Sequence, residues 1–121
     1  MKKTHFGFLS VITAGFLLFA ISCSKDKDSG DNQTLDCSTV TNKAFAANIN
    51  PIIQSRCATS GCHASGSANG PGSLTSYTEI FNARVAIRSA VSSGRMPQGS
   101  TLATDQKNSI LCWIDSGAPN N

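Results

Sequence analysis

Hydrophobic positions along this chain form one unbroken run, then a polar gap, then three short periodic stretches. The run, Phe6 to Ile21, is nearly all apolar and 16 residues long. A comfortable membrane helix requires about 20. Ser24 to Thr34 contains no large apolar residue, so it cannot bury enough surface to order itself and reads as a flexible tether. Beyond it, a first helix is predicted after Asn50-Pro51, where Asn suits the cap and Pro the first helical position. Ile52 and Ile53 give this helix an apolar side, and it runs into Cys57. Ala64 to Ser73, rich in Gly, Ser and Ala and holding Pro71, reads as a loop. Ser76-Tyr77-Thr78-Glu79 is a capping box that opens a second helix, and Gly94 is its natural stop. Ile80, Ile87 and Val91 share one side of it, yet Arg84 and Arg88 project between them and Tyr77 and Phe81. That pattern predicts a break near Asn82, with a kinked pair of short helices and solvated arginines; an unbroken helix would need its arginines to meet something anionic. A third helix begins near Thr104 or Asp105 and stops at Gly117, with Ala118-Pro119 beyond. Its Ile110, Trp113 and Ile114 fall on one face, while Cys112 points roughly the other way. No strand is compelling and no repeat is visible. The pattern predicts an all-α domain of about three helices with long loops.

The flanks of the apolar run decide what it is. Lys2 and Lys3 supply a positive start, which makes residues 1–22 a signal peptide rather than part of the fold. The run closes Leu18-Phe19-Ala20-Ile21-Ser22-Cys23, a small residue before a cysteine, and resembles a bacterial lipobox, although Ala20 stands where leucine is commonest. On that reading Cys23 carries the lipid and residues 23–36 form the tether; ordinary cleavage with Cys23 a bystander is the alternative. The Asp-containing stretch behind Cys23 resembles surface-export signals of some Gram-negative lipoproteins, a solvated spacer being the plainer reading. The expected location is therefore a Gram-negative cell envelope, lipid-anchored at the outer membrane and facing the periplasm or the surface.

Charge excludes one class of partner. Lys2 and Lys3 leave with the signal peptide, so 8 of the 10 Lys+Arg remain against 7 Asp+Glu. A balance that close to neutral does not describe a nucleic-acid-binding surface. The folded part, residues 37–121, is one small domain, and a core of that size usually needs a staple such as a disulfide, a metal or a cofactor.

The stretch that carries chemistry is Cys57-Ala58-Thr59-Ser60-Gly61-Cys62-His63. Two cysteines with a histidine directly behind the second is how haem is attached covalently: each thiol adds to a vinyl group and the imidazole takes the iron. The usual spacing is C-x-x-C-H, whereas here four residues separate the thiols. Ser60-Gly61 can supply a tight bend, Gly61 being free to take positive φ. Outside the signal peptide His63 is the only histidine, and apart from the initiator Met96 is the only methionine. Met96 sits in Ser93-Gly94-Arg95-Met96-Pro97-Gln98-Gly99, a segment bounded by Gly and Pro. A thioether as second axial ligand raises the iron's potential and suits electron transfer; alone, such a methionine is more often a gap-filling hydrophobe. Haem propionates are one anionic partner for Arg84 and Arg88. A Cys57–Cys62 disulfide competes with the haem reading, because oxidised pairs are the default outside the cytosol. Zinc is the least supported option: Cys57, Cys62 and His63 lack a natural fourth ligand.

Together, the short helix leading to the cysteine–cysteine–histidine motif, the Gly-Pro loop, the Met-Pro loop and the closing amphipathic helix resemble the class I-like monohaem cytochrome c domains. The resemblance covers most of Ala44 to Pro119 and is strongest in Cys57 to His63, Gly94 to Gly99, and Leu102 with Trp113 to Ala118. It implies a small cytochrome c-like fold and one covalent haem c, with thioethers at Cys57 and Cys62, His63 as proximal ligand and Met96 as distal ligand. Pro71, in Gly70-Pro71-Gly72, resembles the proline whose carbonyl accepts a hydrogen bond from the proximal imidazole. In such folds the first and last helices cross. With Cys23 lipidated and two thiols on haem, the resemblance implies a structural disulfide between Cys37 and Cys112. The function implied is electron transfer with a redox partner protein and no substrate chemistry, since both axial positions are filled. A peroxidase-like enzyme would need an open iron or a second haem. The alternative from another class is a haem-free, disulfide-stapled envelope lipoprotein acting as a binding or structural module.

Overall fold

The computed structural model describes residues 35–121. The expected signal peptide, Cys23 and nearly all of the expected tether lie outside them. Among the described residues there are helices and no strand. A π-helical turn, Phe45–Ile49, runs straight into α1, Asn50–Arg56; α2 spans Tyr77–Ser92 and α3 spans Thr104–Asp115. None of these helices is long and apolar enough to cross a membrane. The all-α expectation holds.

The first helical segment starts a turn earlier than Asn50-Pro51 suggests. Asn50 does not cap it: its backbone is helical and its N–H donates to the Phe45 carbonyl. A proline inside a helix has no N–H to donate and crowds the preceding turn. The chain meets this with the wider i→i−5 turn ahead of Pro51, in which Ile49 N–H likewise reaches the Ala44 carbonyl at 3.1 Å. The caps come from the far end of the chain. Asn121 accepts from Phe45 N–H through its side chain and from Ala46 N–H through its carbonyl, both at 2.8 Å. Two helical donors that would otherwise be unpartnered are thereby satisfied.

Helix α2 opens on the capping box that the sequence announces. Ser76 Oγ accepts from Glu79 N–H at 3.3 Å, and Glu79 accepts in return from Ser76 N–H at 2.8 Å. Hydrogen bonds from Thr75 and Ser76 hold the Glu79 carboxyl below the usual carboxylate range. The predicted break near Asn82 is absent, and α2 is continuous. Its arginines have partners instead. Arg88 donates to Asp115 of α3 through Nε at 2.6 Å and Nη2 at 2.9 Å. Arg84 lies 4.0 Å over the Phe81 ring and donates to the Phe81 carbonyl at 2.8 Å. A carboxylate 27 residues away in sequence and a ring one turn back replace the kink.

Helix α3 is the centre of the core and packs against both α2 and the π-helical turn. Ile110, Trp113 and Ile114 are buried, as their spacing predicts, but so are Ser109, Leu111 and Cys112. The expected Cys37–Cys112 disulfide is present at a Cα–Cα distance of 5.3 Å, and Cys112, which the periodicity turns away from the apolar face, is fully buried where the bridge draws the N-terminal segment to it. Leu35 packs against the core from the same segment. Trp113 donates through Nε1 to the Pro119 carbonyl at 2.9 Å, and Tyr77 donates through its hydroxyl to the Ala118 carbonyl at 2.9 Å. Phe45 contacts Tyr77 and Trp113 at ring-centroid distances of 4.9 and 5.5 Å, which locks the π-helical turn onto the helix pair.

Candidate cofactor-binding cleft

The core leaves one end of the domain open. Between the end of α1, the segment 57–74, the second half of α2 and the segment 95–98 lies a cleft of about 880 Å³. That is within the range of about 300–1,000 Å³ typical of small-molecule and cofactor sites. Cys57, Cys62, His63, Pro71 and Met96 all line it. These residues come from three separate stretches of chain that only the fold brings together.

His63 is the most firmly held of them. It is 7% exposed. Its N–H donates to the Cys57 carbonyl at 3.1 Å and its carbonyl accepts from Leu74 N–H at 2.9 Å. Its Nδ1 lies 2.9 Å from the Gly72 carbonyl. A carbonyl only accepts, so Nδ1 is the donor, and the neutral ring in this tautomer has Nε2 as its lone-pair atom, as a metal-ligating imidazole does. The acceptor is thus Gly72, one residue beyond the expected Pro71; Pro71 contributes to the wall instead. Gly70 packs on the ring, where a Cβ would lie 3.7 Å from His63 Cε1. Outside this ring, Gln54 ties the segment back to α1 by donating to the Leu74 carbonyl at 3.1 Å.

The two cysteines differ in setting. Cys57 ends α1, its N–H bonded to the Ile53 carbonyl at 2.8 Å, and is half-buried; Cys62 is exposed in the following turn. Burial, with a smaller contribution from Cys62, pushes the Cys57 thiol up to about 11. Both are free thiols, so the competing Cys57–Cys62 disulfide is not formed. The intervening residues close a turn in which Cys62 N–H donates to the Thr59 carbonyl at 3.0 Å, and Gly61 takes the positive φ, 81°, anticipated for it. Met96, also lining the cleft, is partly buried, its N–H reaching back to the Ala90 carbonyl of α2 at 3.2 Å.

The remaining walls combine apolar and cationic groups. Ile53, Leu74, Ile87 and Val91 are buried core residues that also line the cleft. Ala86, Ser89 and Ala90 supply a small-residue face on α2 that makes room. Sequence reading missed that face, although small residues at i, i+3 and i+4 on a helix otherwise carrying Ile and Val were a visible signal. Among the described residues, Arg56 and Arg95 line the cleft and no carboxylate does. Arg95 is held by Ser93 Oγ at 3.2 Å and Ser89 Oγ at 3.3 Å. A cleft with two guanidinium groups and no acid favours a ligand bearing anionic groups.

Among the described residues, no group of three or more His, Cys, Asp and Glu side chains is placed to hold a metal ion. A haem iron does not need one, because its in-plane ligands come from the macrocycle. The donor set suits haem c: two thiols, an imidazole bonded through Nδ1, and a thioether belong to residues that line one cleft, together with several apolar side chains. Comparison with family models, curated proteins and solved structures returns no match for this chain.

Proposed function

We propose that this protein is an electron-transfer protein, a c-type cytochrome tethered to a Gram-negative envelope membrane through lipid on Cys23 and carrying one covalent haem c. The observation that carries this reading is the convergence of Cys57, Cys62, His63 and Met96 on one cleft of about 880 Å³. The haem would supply a reversible one-electron couple at its iron. Every other contribution belongs to the chain. Cys57 and Cys62 offer the thiols for covalent attachment. His63 is oriented for ligation by its hydrogen bond to the Gly72 carbonyl. Met96 would offer its thioether to the iron beside the His63 imidazole, and a site so filled would perform no substrate chemistry. Ile53, Leu74, Ile87 and Val91 would exclude water from the bound group, while Arg56 and Arg95 would offset the charge of its carboxylates. The partner is then a redox protein that accepts or supplies the electron.

Expression alongside a c-type haem assembly system tests this directly. A sharp reduced α-band that survives acidic organic extraction is expected, together with an intact mass reporting one haem, one disulfide and the lipid. A colourless product overturns the reading in favour of the haem-free, disulfide-stapled module, which draws its support from the Cys37–Cys112 bridge. In the loaded protein, Met96→Ala should abolish the methionine–iron charge-transfer band and lower the potential. An unchanged axial-ligand spectrum would remove Met96 from the role.

A further inference from the structure

The spacing of the thiols is where this chain departs from the usual attachment motif, and the departure has its own structural answer. Two additional residues have to be absorbed if both sulfurs are to serve one cleft. They are absorbed in the turn from Thr59 to Cys62, every residue of which is exposed. Two backbone hydrogen bonds close this loop, Cys62 N–H to the Thr59 carbonyl and His63 N–H to the Cys57 carbonyl, and neither engages the carbonyls of Gly61 and Cys62.

A further constraint comes from Asn69. Its Nδ2 donates to the Gly61 carbonyl at 3.0 Å and to the Cys62 carbonyl at 3.1 Å. Both partners are carbonyls and only accept, so the amide orientation is determined by chemistry. Ser67 Oγ donates to the same Cys62 carbonyl and accepts from Asn69 N–H at 3.2 Å. On its other side the Asn69 carbonyl accepts from Gly72 N–H at 2.9 Å, and Gly72 is the residue whose carbonyl takes the His63 Nδ1 proton. Asn69 itself lines the cleft. One side chain therefore clamps the enlarged turn to the segment that orients the imidazole.

Resting on the cytochrome reading, we propose that Asn69 is a positioning residue for haem attachment: it holds Cys62 on the cleft despite the four-residue spacing and couples that placement to the orientation of His63. The requirement is specific to the enlarged turn. A two-residue spacing has no slack to remove.

The test uses the full chain matured with a c-type haem assembly system and reads how many vinyl groups have been consumed. Position of the reduced pyridine haemochrome band separates one thioether from two, and alkylation under denaturing conditions reports an unreacted Cys62. Wild type is expected to carry two thioethers. Asn69→Ala and Asn69→Asp, which both remove the donor, should raise the single-thioether fraction about fivefold, the weight of one net hydrogen bond. Asn69 is exposed, so both variants should melt close to wild type. Deleting Thr59 and Ser60, which leaves Cys57-Ala58-Gly61-Cys62-His63, should make attachment insensitive to Asn69→Ala. Two complete thioethers in both substituted chains would overturn the proposal. So would an Asn69→Ala effect of equal size in the shortened chain, since that marks a general structural role. A wild-type chain that takes no haem is a different result, and sinks the cytochrome reading itself.

Discussion

Around Trp113 the chain closes on every side, whereas around His63 it closes on all but one. The two ends reach those states by different means. Trp113 is fully buried by segments remote from one another: Phe45 of the π-helical turn lies against its ring, and the tail at 118–119 takes the hydrogen bond of its indole N–H. His63 is held chiefly by bonds within Cys57 to Leu74, a segment that orders itself by local hydrogen bonding without a helix. Long-range closure gives the domain its cooperativity and is reinforced by a covalent bridge. Local closure sets donor atoms in place while leaving a cleft beside them. Stability and chemistry are thereby placed in separable parts of a small fold, and changes at one end should leave the other readable.

The largest effect should come from the closed end. Trp113→Ala removes a fully buried indole in contact with Phe45 and should lower stability by about 3–5 kcal/mol. A denaturant melt reads this directly. A loss under about 1 kcal/mol would mean that the closed end does not dominate stability. Breaking the Cys37–Cys112 bridge comes next. It closes a loop across a sequence separation of 75 residues, and its removal by Cys37→Ser should cost about 2–4 kcal/mol. In the haem-loaded protein the axial-ligand spectrum should persist until the melt itself; a spectrum altered in the folded state would show that the two ends are coupled.

The smallest effect concerns Arg88 and Asp115, an ion pair on the surface between α2 and α3 with side chains 47% and 37% exposed. Hydrogen bonds from Arg88 hold the Asp115 carboxyl below its ordinary 3.8, outweighing the opposing effect of desolvation. A carboxyl depressed by folding contributes stability that is complete above its unfolded pKa and is lost as pH falls through its folded one. Screening at so exposed a site limits the contribution to about 0.5 kcal/mol. Asp115→Asn should therefore melt slightly below wild type at pH 7, and the gap should close in acid below the ordinary carboxylate pKa. A gap that persists there would assign the effect to packing rather than charge.

Features readable from the chain were those decided within a turn or two of helix. Ser76 and Glu79 announce the start of α2, Gly94 and Gly117 mark stops, and Ile110, Trp113 and Ile114 declare a buried face. Each depends on neighbours three or four positions away, so a window of sequence contains all the physics required. Pro51 misled for the converse reason. It is a good first helical residue in isolation, but the aromatic packing of Phe45 extends the helical segment past it and the i→i−5 turn accommodates the ring. Arg88 escapes such a window because its partner is a carboxylate on another helix, whereas the Phe81 ring three positions before Arg84 lies within it. The imidazole acceptor was displaced by one residue, from Pro71 to Gly72, because the path of a loop depends on its whole hydrogen-bond set.

By itself, the sequence determined the helical class, the helix stops, the buried face of α3 and the small set of residues able to hold a cofactor. Those follow from local periodicity and from the scarcity of histidine and methionine beyond residue 22. Tertiary structure alone decided that Cys57, Cys62, His63 and Met96 share one cleft, that Asn121 caps the first helical segment, and that Asn69 braces the enlarged turn. These are contacts between separated segments or across irregular loops. Their free energies depend on the closure of the whole chain rather than on any local pattern.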